Sequence, residues 1–288
     1  MPYSQYFNIK RVTKTDLGEK KRIMLGEPPR SQGDIHFRLF GFPVRIHPFF
    51  WLIAGLLGLS GNDGKLINVF VWIAAMFLGI LVHELGHALA MRLFGLRPWI
   101  TLYGMGGLTS YDTSQLMQSS ASDWKRQIFI SFAGPGAGFL LAAICILLTY
   151  LSGHDVQFNV GRGYDYFFEF RFELFDARAL SLFVYFTVFI SVIWGVFNLL
   201  PIFPLDGGQI AQQIFLRVDR RTGLQRSLML SMILAGAGAV YFLILMLQSA
   251  GGNGTGRGAS LLPVLLFGYL CYNSWAMLQM INRSGRRW

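Results

Sequence analysis

Charged residues are scarce in this chain of 288 residues, of which Asp, Glu, Lys and Arg make up 14% and the mean hydropathy is +0.44. Soluble domains carry about 25% charged residues. The scarcity argues against a soluble enzyme and predicts a multi-spanning membrane domain with no room for a large second domain. Cysteine is scarce too. Cys145 and Cys271 both lie in apolar runs, so we expect neither a disulfide nor a cysteine metal site.

Acidic residues are fewer than basic ones, 15 against 25, which gives a net charge of +10. A basic balance can indicate binding to nucleic acid, but no aromatic and basic platform accompanies the charge. The basic residues instead cluster at the ends of the chain and in alternate loops, as membrane topology requires. We therefore expect a lipid bilayer around the chain and no nucleic-acid partner.

The apolar residues fall into six runs, each of which we compare with the ~20 residues that a membrane-spanning helix needs. The first run is short for a span, and we expect it to be tilted or lengthened by Phe40-Gly-Phe-Pro-Val44. The pattern predicts an all-α membrane protein with about six transmembrane helices in a domain over 41–285, preceded by a basic cytosolic tail over 1–40. The runs are 47–60, 66–96, 127–151, 179–200, 227–248 and 261–281.

The loop charges predict the orientation of these helices. The N-terminal tail, the segment at Lys125 and Arg126, the loop at 217–226 and the C-terminal end are basic, whereas the loop at 152–178 is acidic. Basic loops face the cytosol. We therefore expect a multi-pass protein of the cell membrane with both termini in the cytosol. The second helix then ends in the cytosolic half of the bilayer.

The segment His83-Glu84-Leu85-Gly86-His87 lies inside the second apolar run. Histidines at i and i+4 share one face of a helix, and this spacing with an adjacent glutamate is typical of a Zn²⁺ site in which the glutamate is the general base. Helix-surface histidines beside a solvated glutamate are the alternative. Because ionisable groups at membrane depth are costly, we interpret the segment as a functional site.

A catalytic zinc needs a third protein ligand. The other histidines lie before the first helix or in the opposite loop, whereas Asp206 follows the fourth run in Pro201-Ile-Phe-Pro204-Leu-Asp206-Gly207-Gly208. The prolines break the helix, so we expect Asp206 on non-helical backbone at membrane depth, where it is available as a ligand. The alternative is that Asp206 caps a helix-ending turn.

The HELGH segment together with Asn198-x-x-Pro201-x-x-Pro204-x-Asp206-Gly207 resembles the site-2 protease family of intramembrane zinc metalloproteases. The segment Gly41-Phe-Pro-Val-Arg-Ile-His47-Pro48-Phe49-Phe50 is also similar to the opening of its small prokaryotic members. The resemblance implies one Zn²⁺ per chain, with His83, His87 and Asp206 as ligands and Glu84 as the catalytic base. It further implies cleavage of peptide bonds within or near a transmembrane segment.

Two segments near this site carry weaker predictions. Trp99–Tyr111 has strand-like composition around a glycine-rich middle, and the resemblance implies a hairpin there whose edge, including Gly106 and Gly107, binds substrate. An interfacial loop anchored by aromatic residues is the alternative. The run Ala133–Gly138 predicts close packing between helices.

Asn198 is the remaining candidate for binding substrate or a developing oxyanion, with an interhelical hydrogen bond as its alternative role.

Two other functions fit parts of the pattern. A metal transporter would use the same ligands, but no second half of the chain repeats residues 66–96. A silent scaffold would not need Glu84. We expect a single-pass membrane protein as the substrate, and the sequence predicts no oligomeric state.

Overall fold

The computed structural model describes residues 28–61, 65–104, 106–112, 123–153, 156–159, 169–172, 178–250 and 261–285. Helices dominate these ranges, and a small sheet lies among them. The helices are α1 (Pro48–Gly61), α2 (Leu66–Leu93), α3 (Trp124–Leu151), α4 (Arg178–Asn198), α5 (Asp206–Val218), α6 (Gly223–Ala250) and α7 (Leu262–Gly285). The strands are β1 (Ile35–Leu39), β2 (Phe42–Ile46), β3 (Trp99–Tyr103), β4 (Gly106–Ser110), β5 (Val156–Asn159) and β6 (Glu169–Phe172).

Five of these helices, α2, α3, α4, α6 and α7, are long and apolar enough to cross a membrane. The predicted helical membrane fold is therefore confirmed, although the count of six spanning helices is not exact. The difference lies in α1, which has 14 residues and rises only about 21 Å. A helix of that length does not cross a hydrocarbon core of about 30 Å.

Strand β2 supplies the length that α1 lacks. Arg92, near the end of α2, donates a hydrogen bond to the carbonyl of Phe40 and stacks over the ring of Phe42 at the start of β2. At the other end, Gly58 of α1 packs against Val69 and Trp72 in the first turns of α2. Strand and helix together therefore run beside most of the length of α2. The expected lengthening by Phe40–Val44 is thus present, but as a strand, which was not predicted because short apolar strands and helices are hard to tell apart by periodicity.

Strands β1 to β4 form one sheet in chain order. The β1–β2 and β3–β4 pairs are antiparallel, and β2 pairs in parallel with β3. The hairpin expected over Trp99–Tyr111 is present as β3 and β4. The β1–β2 hairpin was not predicted, and its first strand falls in the segment assigned to the N-terminal tail. Residues 1–27 of that tail lie outside the described residues.

Helix α2 lies at the centre of the structure, in contact with α1, α3, α4, β3 and β4. Its inner face joins the sheet in one core, where Ile80, Ile100 and Leu102 have no exposed surface. Gly86 faces α3, where a Cβ atom would overlap the carbonyl of Ala133. The small residues at 133–138 therefore do allow close helix packing, as predicted.

Helix α5 was not predicted as a helix, and it corrects the expectation for Asp206. That residue is the first of α5 and not part of a non-helical segment. Gly207 and Gly208 are helical as well. A Cβ atom on Gly207 would overlap the backbone of Leu199, and one on Gly208 would overlap Ile202. These glycines therefore let α5 begin directly against the segment that follows α4.

We expect Gly86→Ala to destabilise the protein, because the added methyl group has no space against α3. Overpacking costs about 1–3 kcal/mol, which outweighs the gain of about 1 kcal/mol in helix propensity from Gly to Ala. Gly136→Ala on α3 is the matched control, since its Cβ would make only ordinary contact with Phe132. Thermal unfolding in detergent measures both variants. Equal melting temperatures for Gly86→Ala and Gly136→Ala would contradict the packing argument.

Candidate metal and catalytic site

Three side chains from two elements converge at one point inside the helices. His83 Nε2 lies 3.2 Å from both His87 Nε2 and Asp206 Oδ2, and His87 Nε2 lies 3.3 Å from the same Asp206 oxygen. All three residues are buried. Among the described residues they form the one group of His, Cys, Asp or Glu side chains that could hold a metal ion. The structure thus brings together the three ligands predicted from sequence.

The spacing of the three donor atoms fits a tetrahedral zinc ion. Zinc binds histidine nitrogen and carboxylate oxygen at about 2.0–2.2 Å. Two such ligands at a tetrahedral angle are separated by about 3.3–3.6 Å. The observed separations of 3.2–3.3 Å lie close to the lower end of this range. The donors therefore outline one face of a tetrahedron, with the fourth position left for water or substrate.

The protonation of His87 also fits a cation. Its Nδ1 lies 2.7 Å from the carbonyl oxygen of Ile130, and because a carbonyl only accepts, Nδ1 must carry the proton. In the neutral ring the lone pair of Nε2 then points toward His83 and the Asp206 carboxylate. Two acceptors facing each other repel unless a proton or a metal ion lies between them. The Ile130 carbonyl thus sets the tautomer that a metal ligand requires.

Gly134 on α3 makes room for the His87 ring. A Cβ atom there would overlap the imidazole. The sequence pattern predicted only helix packing for the glycines of this segment. It carries no signal that connects Gly134 with the site, because the face of α3 that meets His87 is known only once the two helices have packed.

Glu84 follows His83 in α2, and its side chain reaches strand β4 of the sheet. Its carboxylate accepts a hydrogen bond of 2.7 Å from the hydroxyl of Thr109 on β4. Gly107, on the same face of β4, lies so close that a Cβ atom would overlap the Glu84 side chain. Glu84 is 4% exposed. The described structure thus places a buried carboxylate beside the metal ligands and holds it from one strand. Thr109 was not predicted from sequence.

The other predicted site residues lie around this centre. Asn198 is buried at the end of α4 and donates a hydrogen bond to the carbonyl of Trp194 in its own helix, which differs from the interhelical bond considered above. Gly106 has a φ of 113° and packs against the Trp194 ring. Gly107 contacts Glu84 as described. The substrate-binding roles of these three residues stay predictions.

The segment that precedes Asp206 is held by hydroxyl groups of the last two helices. Ser231 of α6 accepts a hydrogen bond from the N–H of Phe203. Ser274 of α7 lies 3.4 Å from the carbonyl oxygen of Phe203. Both serines have no exposed surface. The backbone leading to Asp206 is thereby fixed by helices that contribute no ligand.

The profile described as peptidase family M50 matches residues 71–245, more than half of the chain, and spans all three candidate ligands. The chain belongs to peptidase family M50. This confirms the resemblance to site-2 proteases that the two motifs predicted.

Two curated proteins are similar in sequence to this M50 family member. A zinc metalloprotease of Methanocaldococcus jannaschii is 25% identical over 62% of this chain and 44% of its own length. Stage IV sporulation protein FB of Bacillus subtilis is 27% identical over 64% of this chain and 50% of its own length. The chain therefore spans about half the length of the curated relatives that it matches.

A solved structure supports the fold of this M50 family member. The site-2 protease from Methanocaldococcus jannaschii superposes with a TM-score of 0.51 and 20% sequence identity. The match covers 85% of this chain and 95% of that one. It shows that the two chains share a fold.

We expect Gly134→Ala to weaken Zn²⁺ binding, because the added methyl group must displace the His87 ring from the donor triangle. Changes around metal ligands typically cost about 10- to 100-fold in affinity. Competition with a chromogenic chelator measures the affinity. Gly136→Ala, two residues along α3, is the control and should bind Zn²⁺ like the unmodified protein. Unchanged affinity in Gly134→Ala would show that the ring does not need this space.

Proposed function

We propose that this chain is an intramembrane zinc metalloprotease that hydrolyses peptide bonds within or near the transmembrane segments of single-pass membrane proteins. One observation carries the proposal. The donor atoms of His83, His87 and Asp206 lie 3.2–3.3 Å apart in the interior of an apolar helix bundle, with the carboxylate of Glu84 buried beside them. Membership of the M50 family supports it.

In this proposal one Zn²⁺ per chain is held by two imidazoles and one carboxylate. Such a site is net positive, and the ion, when bound, supplies Lewis acidity that makes water more acidic and polarises the scissile carbonyl. The protein residues have separate tasks. Ile130 fixes the tautomer of His87, and the loop before α5 presents Asp206 from the opposite side of the site.

We assign Glu84 as the general base and acid. It takes a proton from the attacking water and returns it to the amine that leaves when the peptide bond breaks. Its position next to His83 brings it close to the ligand triangle, and burial excludes bulk water that would compete for the proton. A carboxylate at this depth has no role in membrane packing that would offset its desolvation.

We assign substrate binding to strand β4 and to the end of α4. Within the described residues β4 pairs only with β3, so its outer edge can accept an extended peptide at Gly106 and Gly107. A peptide bond must be unwound from a helix before it is cleaved, and strand pairing stabilises the unwound form. Besides the N–H that bonds Trp194, the side chain of Asn198 has a second N–H and a carbonyl oxygen, which are available to bind substrate backbone.

The proposed protease domain covers 41–285, with both termini in the cytosol and the site in the cytosolic half of the cell membrane. His83 lies about 26 Å along α2 from its start, closer to the basic end of the helix. Arg92 at that end and Lys125 and Arg126 at the start of α3 lie on the same side. That side is the cytosolic one if basic segments stay inside.

We expect Glu84→Gln to retain Zn²⁺ and to lose cleavage by about 100-fold or more, because an amide cannot accept the proton. Purified protein in detergent is tested for zinc content and for cleavage of a panel of single-pass membrane proteins. Asp123→Asn is the matched control, since this carboxylate precedes α3 and makes no side-chain capping bond. It should cleave like the unmodified protein.

Other outcomes of this experiment identify other functions. Folded protein without zinc would overturn the metal site. Zinc bound without cleavage by any variant would favour the scaffold, and zinc moved across proteoliposome membranes would favour the transporter. Cleavage retained in Glu84→Gln would show that another group acts as the base.

We expect an impermeant maleimide to label Ser4→Cys and Ser284→Cys only from the cytosolic side, and Lys65→Cys only from the opposite side. Lys65 joins α1 to α2 and is exposed. Each variant is made with Cys145 and Cys271 replaced by alanine, and labelling is compared between intact cells and inverted vesicles. Labelling of both ends of the chain from outside would invert the proposed orientation.

A further inference from the structure

We propose that Thr109 is a positioning residue that holds the carboxylate of Glu84 in its reactive orientation. The inference rests on the proposed role of Glu84 as the base. Thr109 lies on β4, separated from Glu84 by 25 residues in sequence, and its hydroxyl oxygen is 2.7 Å from Glu84 Oε2. This is the distance of a strong hydrogen bond from a hydroxyl to a carboxylate.

Among the described residues, the hydroxyl proton has two possible acceptors, both of them on Glu84. The backbone carbonyl oxygen of Glu84 lies 3.0 Å from Thr109 Oγ1, further than the carboxylate oxygen. The carboxylate also carries the larger negative charge. The proton therefore points to the carboxylate. The Thr109 hydroxyl thus contacts both the backbone carbonyl and the carboxylate of Glu84.

Glu84 needs such a restraint because its side chain is long and unbranched. A glutamate side chain loses considerable rotamer freedom when it is fixed, and its position in α2 allows the carboxylate to turn toward or away from the ligands. Gly107 leaves space for the carboxylate against β4, but space alone sets no direction. The bond from Thr109 sets it. Reacting groups must be held to within fractions of an ångström for efficient catalysis.

The strand that carries Thr109 is itself fixed. Thr109 pairs with Ile100 and Gly107 with Leu102, and both partners are fully buried in the core. Because side chains alternate along a strand, Gly107 and Thr109 face Glu84 together. The outer edge of the same strand is the proposed site for the substrate. The base and the substrate backbone would therefore be oriented by one rigid element.

Two substitutions separate the hydroxyl from the shape of Thr109. Thr109→Val keeps the branched shape and removes the hydroxyl, and we expect it to lower kcat about 10- to 100-fold with KM unchanged. Thr109→Ser keeps the hydroxyl and should restore most of kcat. Thr187→Val is the matched control on α4, since Thr187 is fully buried and its hydroxyl has no partner among the described residues.

Zinc affinity and thermal unfolding provide readouts that do not depend on cleavage. All three variants should bind Zn²⁺ like the unmodified protein. We expect Thr109→Val to lower the melting temperature in the unmodified protein and to change it little in Glu84→Ala, because the bond needs both partners. Full kcat in Thr109→Val, or additive losses of melting temperature, would overturn the proposal. If the unmodified zinc protein cleaves no substrate, the proposed function fails, and the unfolding cycle still decides whether Thr109 holds Glu84.

Discussion

The burial of two carboxylates and two imidazoles inside a helix bundle is the constraint on which the rest of this structure depends. Removing an ionised group from water costs several kcal/mol even after the protein relaxes. Asp206 offsets part of this cost through its contacts with His83 and His87. Glu84 does so through Thr109. Each polar group at this depth therefore needs a partner from another element, and those partners determine which elements must meet around the end of α2.

Close approach between elements is what brings these partners together. Gly86, Gly107, Gly134 and Gly207 have no space for a Cβ atom, because the backbone or a site side chain of the neighbouring element occupies it. Each glycine contributes a small destabilisation within a helix or strand. This destabilisation occurs at positions where α3, β4 and α5 contact the candidate ligands, Glu84 or the backbone beside them, and a larger residue would prevent that contact. Small residues are thus concentrated around the site and not only along helix contacts.

The candidate metal site could be predicted because its information is local. The spacing of His83 and His87 and the prolines before Asp206 are visible in short windows of sequence. Thr109 and Gly134 could not be recognised as part of the site, because their relation to Glu84 and His87 exists only after β4 and α3 have packed against α2. The strand before α1 was missed for a different reason. Phe42–Ile46 has only five residues and is followed almost at once by the apolar run of α1, so its periodicity is too short to be distinguished from the start of a helix.

The loop before Asp206 shows why the domain needs helices that carry no ligand. Between α4 and α5 the chain leaves regular structure, so its backbone groups lack the partners that a helix provides. Ser231 and Ser274, from α6 and α7, lie on either side of Phe203 and provide polar contacts there. Ser274 lies beyond the region matched by the M50 profile. The position of Asp206 therefore depends on packing between α6 and α7, and a change in that packing would reach the candidate ligand through the two peptide units that flank Phe203.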